Sequence, residues 1–172
     1  MSIHLIIDGY NVIRQSAELA RLDARDLQEG REALLTRLAA YRRARQHAVT
    51  VVFDGWEGGD VVEGRDRVQG IKVIYSRRGE KADEVIKRLA RQEGERAVVV
   101  SSDHEIRDYA ERQGGTVLSA GEFELRLALA LSGAGGEEEA EAEPHGLNTK
   151  KKGPAHRASK KERRLRQRTK KV

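Results

Sequence analysis

Acidic and amide side chains recur at two kinds of place in this chain: directly after short apolar runs, and in the first turn of helical patterns. "HLIIDGYNVI" (4–13) sets Asp8 after three consecutive aliphatic residues and Asn11 three positions further on. "VTVVFDG" does the same for Asp54, and "VVVSSDHEI" ends an apolar run in Ser101, Ser102 and Asp103. "GEKADEVI" opens a helical pattern with Asp83 and Glu84. Each acid alone has a structural explanation. Asp8 and Asp54 suit turns, Asp83 and Glu84 suit the positive end of a helix dipole, and Asp103 suits an N-cap. Together they ask for more. If the apolar runs are parallel strands, strand ends and the helix starts that follow them share one sheet edge, so these acids converge there.

Clustered carboxylates repel and raise one another's pKa. Turn chemistry does not need that arrangement, but a hard divalent cation does. Mg²⁺ and Mn²⁺ favour carboxylate oxygen and water, taking one or two carboxylates beside substrate phosphates. With no cysteine and no paired-histidine motif, zinc is a poor fit. Such a cation would activate water and stabilise a leaving oxygen, which suits phosphodiester hydrolysis. The Asn11 amide could hold a metal-bound water, a phosphate oxygen or the Asp8 carboxylate, or cap the next helix. Ser101 and Ser102 could donate to phosphate or to Asp103; helix capping is the simpler role for Ser102. His104 could move a proton or lie exposed at a helix start.

Positioning these groups falls to an alternation of short runs and longer periods. Strands are expected at 3–7, 49–53, 71–75, 97–101 and 116–119, most of them continuous apolar runs of the kind parallel strands covered on both faces require. Helical periods cover 27–46, 82–93, 104–113 and 122–132. The expected fold is therefore α/β: an open, mainly parallel five-stranded sheet flanked by helices. Residues 55–70, with five glycines and no stable period, read as a long loop carrying Trp56, Arg65 and Arg67. A base stacked on Trp56 and a packing role for it are both open.

Beyond Leu131 the core signal ends. Residues 1–132 form the expected domain, 133–149 an acidic Gly/Glu-rich linker, and 150–172 a basic tail. The tail holds twelve Lys or Arg against one acid, about +11, which leaves residues 1–149 about six charges negative. Such a tail cannot bury enough apolar surface to order by itself and is expected to be disordered in isolation, with a short helix near 159–168 its one candidate element. Its charge suits a polyanion, most economically RNA or an RNA-rich particle such as the ribosome. No run approaches a membrane span and the N-terminus lacks a signal-peptide pattern, so a soluble cytoplasmic protein without a membrane partner is expected. Oligomeric state is not readable.

"IIDGYNVI", "VVFDG", "GEKADEVI" and "VVVSSDHEI", in this order and spacing, resemble the YacP-type NYN domain, a division of the PIN-like nucleases. The resemblance spans roughly residues 3–131. It implies a metal-dependent endoribonuclease on a PIN-like sheet, with Mg²⁺ or Mn²⁺ as cofactor. By position, Asp8, Asp83 and Asp103 match the acids of such a site, and Asn11 and Asp54 match accompanying polar positions. One departure is Lys81, where a small hydroxyl residue is the more usual neighbour of Ala-Asp. Arg77, Arg78 and Lys81 are candidates for guiding an RNA backbone toward the acids, or a solvated loop. Lys150, Lys151, Lys152, Lys160, Lys161, Arg163 and Arg164 are the expected RNA contacts of the tail.

Two rivals remain. A non-catalytic RNA- or ribosome-binding protein could keep the same fold. A phosphohydrolase is weakened because Asp8 is followed by Gly-Tyr, not by a second Asp two places on. Neither glycine-rich nucleotide fingerprint occurs after a strand.

Overall fold

The computed structural model describes residues 2–55, 62–132 and 160–172. Elements run in the order β1 (His4–Asp8), α1 (Gly9–Gln15), α2 (Ala17–Arg25), α3 (Leu27–Arg45), β2 (Ala48–Phe53), β3 (Gly64–Val68), β4 (Ile71–Tyr75), α4 (Ala82–Glu93), β5 (Ala97–Val100), α5 (His104–Arg112), β6 (Thr116–Leu118), α6 (Ala120–Leu131) and α7 (Lys160–Lys171). Trp56, the 133–149 linker, and Lys150, Lys151 and Lys152 lie outside the described residues.

The sheet has six strands, not the five expected, in the order β3-β4-β2-β1-β5-β6. Five are parallel, as the apolar runs imply; the extra one, β3, pairs antiparallel with β4 at the edge. Its sequence, "GRDRV", carries three exposed charged residues, so no hydrophobic signal announces it. Charge on an edge strand discourages pairing with another chain. Its return to β4 is a two-residue turn at Gln69 and Gly70, with φ of 49° and 84°. Both residues at positive φ is the requirement of the tight hairpin turn whose twist matches its strands.

Alternate residues of the central strands serve opposite faces. Leu5, Ile7, Val51, Phe53, Val98 and Val100 join one buried cluster, under α1, α2, α3 and α6. Ile6, Val52, Ile74 and Val99 join the other, under α4 and α5. Covered on both faces, these strands need no polar alternation.

The C-terminal segment contributes to the first cluster. Residues 160–171 are helical and Val172 is a buried member of that cluster. The buried Tyr41 hydroxyl donates to the Val172 carbonyl at 3.0 Å, and burial pushes the Tyr41 phenol up to about 12. No helix among the described residues is long and apolar enough to cross a membrane.

Candidate functional site

Because β1 and β5 are parallel neighbours, the helices that follow them start side by side. Asp8 ends β1 and caps α1: its Oδ1 accepts the Asn11 N–H at 3.2 Å. Its Oδ2 accepts the hydroxyl of Ser101, a fully buried residue just past β5, at 3.1 Å. Ser101 Oγ in turn accepts the Asp103 N–H at 3.2 Å. The Asn11 side-chain oxygen accepts the Ser102 N–H at 2.9 Å. Two strand-to-helix junctions are thus stitched together by side chains, and both oxygens of Asp8 are fixed in direction.

Glycine at position 9 is required by this packing. A Cβ there would stand 2.4 Å from the Phe53 ring, so only glycine lets α1 start against the sheet.

Asp83 enters from the other face, in the first turn of α4, whose N-cap is Lys81. Asp103 caps α5, its Oδ1 accepting the Glu105 and Ile106 N–H groups at 2.8 and 3.2 Å. Burial pushes the Asp8 carboxyl up to about 6, against the pull of the Asn11 N–H and the Ser101 hydroxyl, with the Asp83 charge adding to the rise. Asp83 is also raised, first by burial and then by the Asp103 charge, while Lys87 and Lys81 oppose. Among the described residues, no three acid or imidazole groups come close enough to enclose a metal ion.

Asp54 lies at the same edge one strand over, two residues beyond Val52, the register partner of Asp8. Its Oδ1 accepts the Ser76 hydroxyl at 3.1 Å, tying it to the end of β4. Arg77, Arg78 and Lys81 are exposed after β4, with Arg77 paired to Glu80 at 3.3 Å. His104 is exposed. The backbone of Lys160, Lys161, Arg163 and Arg164 lies in α7, which docks at the opposite edge of the sheet, near residues that precede strands: Ile3, His47, Glu95 and Gly114.

Several roles differ from expectation. Asp8, not Asn11, caps the first helix, and α1 and α2 fill a stretch to which the sequence assigned no element. Ser102 does not cap α5; its Oγ accepts the Ala120 N–H at 3.2 Å and ties α5's start to α6. Ser101 serves Asp8. Lys87 was overlooked, although four residues after Asp83 is the spacing that stacks side chains on a helix; its ammonium bonds Glu105 at 2.6 Å.

The family model of the YacP-like NYN domain matches residues 5–170. The chain belongs to that family. The match continues into α7, beyond residue 131, where the resemblance carried by the motifs alone ends. Within the YacP-like family, the protein recorded as "Uncharacterized protein YacP" of Bacillus subtilis (strain 168) is 35% identical over 89 residues, which is 50% of each chain. This chain thus matches about half the length of that relative. The crystal structure of Rae1 (YacP) from the same organism is similar at 29% identity and a TM-score of 0.64, covering 78% of each chain. A tryptophan-to-leucine variant of Rae1 gives 27% and 0.63, covering 76% of this chain and 77% of that one.

Proposed function

We propose that this YacP-like NYN domain is a metal-dependent endoribonuclease that hydrolyses RNA phosphodiester bonds, including those of ribosome-associated RNA, from the cytoplasm. The observation that carries the reading is the pair of half-buried carboxylates, Asp8 and Asp83, both pushed up in pKa at the sheet edge where open α/β folds bind ligands. Family membership supplies the nuclease class, and the basic C-terminal segment favours a polyanion.

The donor chemistry fits Mg²⁺ or Mn²⁺. It is oxygen only, and Asp8 and Asp83, raised first by burial and then by neighbouring negative charge, would gain from a bound cation. Mg²⁺ ordinarily uses one or two carboxylates and keeps its waters, so the pair suffices without a third enclosing acid. Asp8 and Asp83 would hold the ion, which when bound lowers the pKa of water and neutralises charge on the phosphate. Ser101 and the Asn11 N–H hold Asp8 in one orientation. Asp103 spends Oδ1 on α5 and keeps Oδ2 to accept a proton from, and so orient, the attacking water. Asp54 supports the neighbouring strand end. Lys81, Arg77 and Arg78 reduce repulsion between the acids and an approaching RNA backbone.

The rival, an RNA-binding protein without catalysis, draws on the absence among the described residues of three acids gathered to enclose an ion. The deciding experiment is cleavage of a cellular RNA pool, free and on translating ribosomes, with Mg²⁺, Mn²⁺ or EDTA. Cutting that EDTA stops supports the nuclease. Binding without cutting of either substrate supports the rival.

A further inference from the structure

Arg31 is a half-buried cation at the site edge, and no acid pairs with it among the described residues. It lies near the start of α3, which begins at the edge where the strands end. Its Nε–H donates to the Tyr10 hydroxyl at 2.7 Å, and a terminal N–H reaches the same oxygen. Its guanidinium carbon is 5.4, 5.6 and 5.5 Å from the ring centroids of Tyr10, Phe53 and Tyr75. Six residues on, the similarly buried Arg37 carries two carboxylates, Glu18 and Glu124.

The aromatic contacts explain why Arg31 packs where it does. They do not explain the missing anion, because ring faces leave most of a guanidinium's five N–H donors unspent. Other donors converge here. The Tyr10 hydroxyl accepts from Arg31 and keeps its own proton to give. The Tyr75 hydroxyl makes no hydrogen bond among the described residues and stands near enough to Arg31, to the Asp66 carboxylate of β3 and to Tyr10 to feel all three. Tyr75 ends β4, Phe53 ends β2 as its register partner, and Tyr10 follows Asp8 by two residues. The cluster therefore shares the acids' edge. β4 stands two strands from β1, about 10 Å, roughly one or two nucleotide steps along a single strand.

We infer that Arg31, with the Tyr10 and Tyr75 hydroxyls, is a phosphate subsite for single-stranded RNA, holding a backbone phosphate one or two nucleotides from the bond to be cut. A phosphate offers paired acceptor oxygens that a guanidinium fork matches, and the rings beneath hold that fork in place. The subsite rests on the nuclease reading for its substrate.

The test uses the full chain carrying Asp8→Asn, so that binding is read without cleavage, and a 12-nucleotide single-stranded RNA titrated at several salt concentrations. Arg31→Met is expected to weaken binding about 5- to 10-fold and to reduce the salt slope by about one phosphate contact, while Arg31→Lys keeps the slope. Arg37→Met, which removes an acid-paired arginine of the same helix, is expected to change neither. Affinity and slope unchanged in a folded Arg31→Met protein overturn the subsite. Should that variant not fold, the Tyr10→Phe, Tyr75→Phe pair replaces it, expected to weaken binding about 3- to 5-fold by loss of two donors; unchanged affinity again overturns the subsite. Cleavage by the protein with Asp8 intact separates the two readings. Normal cutting without an Arg31 effect removes only the subsite, and an Arg31 effect without cutting removes only the nuclease.

Discussion

The two ends of the parallel strands treat charge in opposite ways. At the carboxyl end, Asp8 and Asp83 take up protons more readily than free carboxyls, first because they are buried and then because a neighbouring carboxylate adds its charge, Asp83 beside Asp8 and Asp103 beside Asp83. At the amino end, α7 brings a run of cations and is held by one ion pair and by its own backbone carbonyls. Arg168 bonds Glu95 at 3.0 Å, and the Thr169, Lys171 and Val172 carbonyls accept from Arg126, His47 and Tyr41. The Thr169 and Lys171 carbonyls belong to the last turn of α7, where no intrahelical donor exists, and Val172 directly follows it. The amino end is built to be stable as it stands. On the proposed reading, the carboxyl end is completed by a bound cation, whereas the amino end needs none.

The largest expected effect that would break this contrast is removal of residues 160–172. At low salt, RNA affinity should fall by about two orders of magnitude, since several phosphate contacts are lost together. The melting temperature should fall as Tyr41 loses its partner and Val172 leaves the core. Metal-dependent cleavage of a short RNA at saturating concentration should persist. Loss of cleavage in a folded truncated protein would mean that the two ends are not separable.

Next is the pH dependence of stability without divalent metal. The Asp8 carboxyl is raised to about 6, so the native state holds a proton that the unfolded chain, titrating near 4, gives up. Stability on this account is greatest below about pH 4 and is lost as pH rises through about 6. Asp8→Asn should therefore stabilise the metal-free protein at pH 7 by about 1–3 kcal/mol, with the gain vanishing toward pH 4. Thermal melts across pH 4–8 check it, and Mn²⁺ should narrow the gap by stabilising the protein that retains Asp8.

Tyr41→Phe addresses the amino end alone. It should cost about 1 kcal/mol by denaturant unfolding, for a buried carbonyl left without its donor, and leave the cleavage rate unchanged. The smallest effect concerns Lys87, whose charge lowers the pKa of Asp83. Lys87→Met should move the acid limb of the cleavage pH profile upward. A downward shift would place Asp83 outside that limb.

The contrast was only half legible in the sequence. The five parallel strands appear as continuous apolar runs because both their faces are covered, and their ends are right to within two residues. β3 was hidden because an exposed edge strand needs no apolar residue; Gln69-Gly70 was its one local signal. Asp8, Asp83 and Asp103 could be placed at one edge from connectivity alone, because a helix that follows a parallel strand starts where the strand ends. The direction of hydrogen bonds could not be read: Ser101 had several acceptors in reach, and only the packed geometry gives it to Asp8. Arg31 and its rings come from positions 10, 31, 53 and 75, too far apart for any local pattern. The docking of α7 depends on Val172 and on backbone carbonyls, neither of which a charge count registers.

The most direct test of the acidic edge as the catalytic centre is to measure, on the same samples, RNA affinity and Mn²⁺-dependent cleavage for the wild-type chain, Asp8→Asn and Asp83→Asn. Each substitution should lower the cleavage rate by at least about two orders of magnitude, while affinity, carried by the basic residues, stays within a few-fold. Cleavage that survives both substitutions would contradict the account.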